Sequence, residues 1–330
     1  MNNLITIPPK KNPRIVFMGT PEFAVATLGA LLINGFDVAA VVTAPDKPAG
    51  RGKKLTSPAV KQYAEANILK VLQPVDLRDQ EFTEELRKLK PDIIIVVAFR
   101  MLPESVWKIP SIGTINLHAS LLPQYRGAAP INHVIINGEK VTGVTTFLID
   151  ENMDTGNILF REEIPVFPDE NAGNLHERLM VQGARLVIKT LESIIKDGLH
   201  PLPQSEFIKP GEILRKAPKI YPEDCIIKWD NEPGRIHNFI RGLSPYPGAK
   251  SFFRSGNKPV SFKILESRPE FSEHDFKPGH IVTDHKTYIK AACRGGFINI
   301  LQLKPESRHA MSADEFLRGF RISDFSLIES

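Results

Sequence analysis

Cysteine is almost absent from this chain of 330 residues. Cys225 and Cys293 are the only two, too few for a disulfide framework or a cysteine zinc site. Aromatic residues make up only 8%. No apolar run approaches the roughly 20 residues of a membrane-spanning helix. The longest, Ile93 to Phe99, has the length of a buried strand. The first thirteen residues carry Pro8, Pro9, Lys10 and Lys11 but no apolar segment of signal-peptide type. A soluble cytoplasmic protein with no membrane partner is the expectation.

Three common site motifs are also missing. The loop after the first apolar run holds a single glycine, Gly19, ahead of Thr20-Pro21. A dinucleotide fingerprint needs three, for the tight turn, the approach of the pyrophosphate and the helix packing. No phosphate-cradling lysine motif occurs. His176-Glu177 begins like a zinc-protease helix, but Met180 stands where the second histidine belongs. No nicotinamide or flavin cofactor and no metal are expected.

What is present is a core-forming chain with 42% apolar and 24% charged residues, long enough for two domains. Arg14–Met18 reads as a buried strand, and Thr20-Pro21-Glu22 as a helix start with a hydroxyl cap, a proline in the first turn and an acid beside it. Asn34-Gly35 closes that helix and Phe36–Thr43 is a second strand. Strands and helices keep alternating through a helix opened by Ser57-Pro58, the helix Gln80–Leu89, and the strands Asp92–Phe99 and Gly113–His118. A helix at Pro130–Ile136, strands at Val144–Ile149 and Ile158–Ile164, and a long helix at Asn174–Lys196 complete the series. Such alternation predicts an α/β fold with a Rossmann-like, mostly parallel sheet. Pro201, Pro203, Pro210 and Gly211 then suggest a linker. Beyond it, short β-forming segments between turns such as Lys277-Pro278-Gly279 predict a small β-barrel. The division expected is 1–198, a linker at 199–211, and 212–330.

Charge follows that division. Net charge is +4, but residues 207–330 hold 20 Lys and Arg against 15 Asp and Glu, while residues 1–206 hold 22 against 23. The basic surplus sits in the last third, which suits a polyanionic partner as well as an ordinary solvated surface.

Three segments carry candidate chemistry. On a strand Gly113–His118, Asn116 and His118 are two apart and share a face, near the carboxyl end where open α/β sheets place ligands. An amide donor beside an imidazole suits an oxyanion formed during acyl transfer. Leu121-Leu122-Pro123 and Arg126-Gly127 read as a fixed loop that could line a pocket with backbone groups. Downstream, Asp150, Glu151 and Asp154 follow a strand, and any one of them could act as a proton acceptor in a cleft. Spacing does not choose among them, and the Asp154-Thr155-Gly156 turn favours Asp154 only slightly. Finally, Ala44–Lys54 holds Lys47, Arg51, Lys53 and Lys54 among two prolines and two glycines, a composition suited to phosphate contact or to a solvated loop.

At these segments the chain resembles the folate-dependent formyltransferases. Phe17-Met18-Gly19-Thr20-Pro21-Glu22-Phe23-Ala24, Asn116 to Pro123, Gln124 to Ile131 and Met153 to Gly156 carry the resemblance. The loop Pro45–Lys54, Ala217-Pro218-Lys219-Ile220 and Arg241 to Ala249 point to the methionyl-tRNA formyltransferase family among them. Two departures are visible: Phe99-Arg100-Met101 stands where a Tyr-Gly pair is common, and Tyr246 where Trp is common.

The resemblance implies a formyltransferase domain followed by an OB-like barrel that holds tRNA. It implies 10-formyltetrahydrofolate as co-substrate without a metal, and the α-amine of methionyl initiator tRNA as acceptor. Asn116, His118 and Asp154 would be catalytic. Ser120, Leu121, Leu122 and Pro123 would contact the folate, and Arg51, Lys53 and Lys54 the tRNA. A monomer acting in translation initiation and one-carbon metabolism is expected. Alternatives are a formyltransferase for a small amine and a formyltetrahydrofolate hydrolase. The low aromatic content favours contacts to the RNA backbone over base stacking.

Overall fold

The computed structural model describes residues 6–49, 54–255 and 258–319. Two compact units partition the chain. One holds residues 1–127, 142–164 and 176–216, the other 128–141, 165–175 and 217–330.

The first unit is built on β1 (Ile15–Gly19), α1 (Glu22–Ile33), β2 (Val38–Val42), the hairpin strands β3 (Lys47–Ala49) and β4 (Lys54–Thr56), α2 (Ala59–Ala66), β5 (Val71–Leu72), α3 (Gln80–Lys88), β6 (Ile93–Val97), α4 (Glu104–Trp107) and β7 (Gly113–His118). After α5 (Pro130–Ile136) come β8 (Val141–Leu148), β9 (Ile158–Pro165) and α6 (Ala172–Lys196). Among the described residues seven of these strands form one sheet in the order β5-β2-β1-β6-β7-β8-β9, and β3 and β4 pair apart from it. β5, β2, β1, β6 and β7 run parallel, and β8 pairs antiparallel with β7.

Burial explains the near-continuous apolar runs. Every residue of β1 and β6 is buried, as expected of parallel strands covered on both faces. Each large side chain there contributes about 1.5–3 kcal/mol from burial. A Cβ on Gly19 would lie 2.6 Å from the Ala24 Cβ and 3.0 Å from the Val97 carbonyl oxygen, so the turn from β1 into α1 admits only glycine. The helix opens at Glu22 with no side-chain cap, one residue later than the expected proline start, and the Thr20 carbonyl accepts from the Val60 N–H. The Ser57 hydroxyl likewise does not cap α2; it donates to Asp46. Asp79 does cap α3, accepting from the Glu81 N–H at 2.8 Å.

Residues 199–216 are stitched to this unit. Leu199 pairs with Ile7 and Leu202 with Ile158, and Gln204–Phe207 forms a 3-10 turn.

The second unit adds α7 (Pro233–Leu243), β10 (Ala249–Ser255), β11 (Lys258–Phe271), β12 (Ile281–Thr283), β13 (Ile289–Cys293), β14 (Gly296–Pro305), β15 (Met311–Ser312) and α8 (Ala313–Gly319). Its antiparallel sheet runs β10-β11-β14-β13-β12, with β15 on β14. β11 is longer than the short strands expected from the sequence. Its first half pairs with β10, and Phe262–Phe271 pairs with β14 across register shifts near Glu266. One irregular strand thus serves two partners, as at the corner of a small barrel. The core includes Trp229, Phe262, Ile264, Ile298 and Leu303 from the sheet side, Ile236 and Ile240 from α7, and Phe316 from α8. Among the described residues no helix is long and apolar enough to cross a membrane.

Candidate active site at the end of the central strand

The carboxyl end of β7 carries Asn116 and His118. Asn116 sits between Val96 of β6 and Phe147 of β8. It is partly exposed, and among the described residues its amide has no hydrogen-bond partner. His118 is buried, only 6% exposed. Its Nε2 lies 3.0 Å from the Tyr125 carbonyl oxygen. A carbonyl only accepts, so Nε2 carries the hydrogen there. Nδ1 is therefore the ring nitrogen left to act.

Nδ1 faces Asp154, whose Oδ2 is 3.8 Å away. The same Oδ2 accepts the Gly127 N–H at 3.0 Å. Of the three acids after β8, Asp154 is the one beside His118. Asp150 is engaged in its own turn, accepting from the Thr155 hydroxyl at 2.6 Å and the Asn152 N–H at 3.0 Å. Glu151 is exposed.

The loop that follows β7 holds this arrangement from the other side. Tyr125 (φ 60°) supplies its carbonyl to His118 and Gly127 its N–H to Asp154. Asp154 itself has φ 56°, a left-handed conformation that Asp tolerates better than most residues. Thr145 of β8 fixes the start of the loop, donating to the Ser120 carbonyl at 2.7 Å and accepting from the Leu122 N–H at 3.1 Å. Ser120 and Leu122 are wholly buried, and the Ser120 hydroxyl donates to the Gln124 carbonyl at 2.7 Å. Pro123 is also buried, which leaves Leu121 as the partly exposed side chain of the four.

One residue escaped the reading of the sequence. Gln204, 4% exposed, donates to the carbonyls of Asp154 and Gly156, each at 2.9 Å. It also accepts from Arg126 Nε and Nη2 at 3.1 and 2.6 Å. Only its place in a proline-rich stretch marked it, and that composition reads as linker.

The basic loop is anchored at its base. Asp46 accepts from Lys61 Nζ at 2.7 Å, Gln73 Nε2 at 2.9 Å and the Ser57 hydroxyl at 3.1 Å. The Gln73 bond above all, with the Lys61 ammonium, holds the Asp46 carboxyl below its ordinary value of 3.8. Arg51 and Lys53 lie outside the described residues, and Lys54 begins β4. Both cysteines are buried. Burial pushes the Cys225 thiol up and the Cys293 thiol up to about 12, so neither is a thiolate nucleophile near neutral pH. Among the described residues no group of three or more His, Cys, Asp or Glu is placed to hold a metal ion.

An amide donor with no partner among the described residues, an imidazole whose Nδ1 makes no close bond there and a carboxylate beside it can stabilise an oxyanion and move a proton. Known proteins point the same way. A family model described as formyl transferase matches residues 13–191, and one described as formyl transferase, C-terminal domain, matches residues 219–321. A methionyl-tRNA formyltransferase of Bacteroides thetaiotaomicron is 48% identical over 316 residues, covering 96% of this chain and 98% of its own. One of Flavobacterium johnsoniae is 48% identical over 311 residues, covering 94% and 97%. Among solved structures, HypX from Aquifex aeolicus in complex with tetrahydrofolic acid has a TM-score of 0.62 at 19% identity, over 96% of this chain and 51% of that one. WlaRD, a sugar 3N-formyl transferase, has a TM-score of 0.62 at 20% identity, over 91% and 100%. These two are likenesses of fold. The chain belongs to the methionyl-tRNA formyltransferase family, with the N- and C-terminal domains of the formyl transferases.

Proposed function

We propose that this protein transfers the formyl group of 10-formyltetrahydrofolate to the α-amine of methionyl initiator tRNA. The convergence of Asn116, His118 and Asp154 at the end of β7, in a chain of this family, carries the reading. The amine attacks the formyl carbon, a C–N bond forms, and the carbonyl electron pair moves onto oxygen. The Asn116 amide, which has no partner among the described residues, donates to that oxygen. His118 donates from Nδ1 in its protonated form, which the Asp154 carboxylate balances. Asp154 also helps take the proton of the attacking amine. The adduct collapses as the C–N bond to the folate breaks, and the folate nitrogen recovers a proton.

Ser120 and Leu122 face their own chain and Pro123 is buried with them, so contact with the folate falls to Leu121 and to main-chain groups of 120–123. Arg51, Lys53 and Lys54 contact tRNA phosphates, and the basic residues of 212–330 hold the RNA backbone. Catalysis is assigned to 1–198, with 199–211 as the connecting stretch, and the protein acts as a cytoplasmic monomer.

The test is a formylation assay with 10-formyltetrahydrofolate and methionyl initiator tRNA, with methionyl elongator tRNA as control. Initiator tRNA should be formylated, and His118→Ala or Asn116→Ala should lower kcat by roughly 10²–10³. Formate release without tRNA, or near-normal turnover in His118→Ala, would overturn the proposal.

A further inference from the structure

The Arg126–Gln204 pair reaches the proposed active site from behind. Gln204 uses both ends of its amide. A guanidinium has donors only and a carbonyl oxygen accepts only, so the neighbours dictate the orientation: Oε1 toward Arg126, Nε2 toward the carbonyls of Asp154 and Gly156. Gln204 is almost fully buried, so water is a poor substitute for any of these partners. The turn it grips is pressed on its other side: a Cβ on Gly156 would lie 1.6 Å from the Leu148 carbonyl oxygen.

Asp154 is thus held at both ends. Its carbonyl is fixed by Gln204 and its carboxylate by the Gly127 N–H. Arg126 and Gly127 are adjacent, so the loop that grips the carboxylate is itself tied, through Arg126, to the glutamine that grips the carbonyl. The ring closes on a residue in a left-handed backbone conformation, which persists only where its surroundings over-determine it. It also holds Oδ2 at 3.8 Å from His118 Nδ1. That is near enough to balance a protonated ring and too far to be a tight hydrogen bond that would occupy Nδ1.

We infer that Gln204, braced by Arg126, is a positioning residue for formyl transfer: it sets the Asp154 carboxylate against His118 without touching the reactants. The inference rests on the function proposed above. Side-chain chemistry makes it separable from general stability. Gln204→Glu keeps the size of the side chain and still accepts from Arg126. It replaces Nε2, whose two N–H groups reach Asp154 and Gly156, with a carboxylate oxygen that can only accept, which turns that attraction into repulsion.

Two measurements on the full chain test it. In the formylation assay, Gln204→Glu should lower kcat roughly tenfold to a hundredfold, with KM for both substrates within about twofold of wild type, and alter the pH profile of kcat. A fall confined to thermal stability, or equal losses in kcat and in the affinity of both ligands, would overturn the inference. Backbone hydrogen exchange needs no substrate. In Gln204→Glu the Gly127 amide, which reports the Asp154 carboxylate, should exchange at least tenfold faster, while the buried amide of Ile95 in β6 is unchanged. Unchanged protection at Gly127 would refute the mechanism whatever the assay shows. If the wild type fails to formylate initiator tRNA, the proposed function falls, and the exchange result still decides whether Gln204 positions Asp154.

Discussion

The site depends on residues whose neighbours leave no spare space. Gly156 is the clearest case. An alanine there would place its Cβ 1.6 Å from the Leu148 carbonyl oxygen, well inside any tolerable contact, so the turn from Asp150 to Gly156 would have to move. That turn carries Asp154, and a misplacement of about 1 Å can cost on the order of 10²-fold in rate. Gly156→Ala is therefore expected to fold with a lower melting temperature and to lose about 10²-fold in kcat. Calorimetry and the formylation assay would measure the two effects. A variant with wild-type turnover would show that the turn can relax without carrying Asp154 away.

At the scale of elements, the β3–β4 hairpin that leads into and out of the basic loop is held by one carboxylate. Asp46 gathers Ser57, Lys61 and Gln73, and Gln73 also donates to the Ala44 carbonyl at 2.7 Å. This is a clamp across the two ends of the loop. Asp46→Ala should raise KM for methionyl initiator tRNA roughly tenfold and leave KM for the folate unchanged, because only the loop loses its footing. Equal effects on both substrates would contradict it. The pH dependence follows from the depressed carboxyl value. A group whose value is lowered on folding contributes above its unfolded value and is lost as pH falls through the folded one. The clamp should hold throughout the neutral range and fail only below pH 3.8.

Much of this scale was readable in the sequence, and the exceptions have physical causes. The all-apolar runs Ile15–Met18 and Ile93–Val97 announced buried parallel strands because a strand buried on both faces has no polar alternation, and every residue of β1 and β6 is buried. Asn116 and His118 could be paired because a strand repeats every two residues. The hydroxyl cap expected at Thr20 does not form, and Ser57, at the expected opening of α2, bonds Asp46 eleven residues away, so tertiary bonding overrides the local motif. The choice among Asp150, Glu151 and Asp154 needed three-dimensional neighbours. Gln204 had no signal, because a proline-rich stretch looks the same whether it wanders or is bonded to the turn that carries Asp154.

At the scale of the whole molecule, the compact units do not follow the order of the chain. α5 and residues 165–175, which run into the first turn of α6, come before the rest of that helix in sequence yet belong to the unit that contains the C-terminal sheet. Their bonds within that unit are specific. Asn132 Nδ2 donates to the Gly242 carbonyl at 2.8 Å, the Gly173 N–H to the Ser244 carbonyl at 3.1 Å, and Arg241 Nη1 to the Glu170 carbonyl at 2.8 Å. Arg241 is only 8% exposed, and burial lowers its affinity for a proton, so losing a carbonyl partner leaves a charge poorly solvated. Ile136 of α5 also packs on the C-terminal core. A fragment cut at the expected domain boundary, 212–330, keeps Arg241, Gly242 and the sheet but loses both partner segments. It should therefore melt at least about 10 °C below the whole chain or unfold without a cooperative transition. Circular dichroism on the fragment and the full chain checks this. A cooperative transition at the full-chain temperature would show that the C-terminal sheet, α7 and α8 are self-sufficient and that α5 and 165–175 add nothing to their stability.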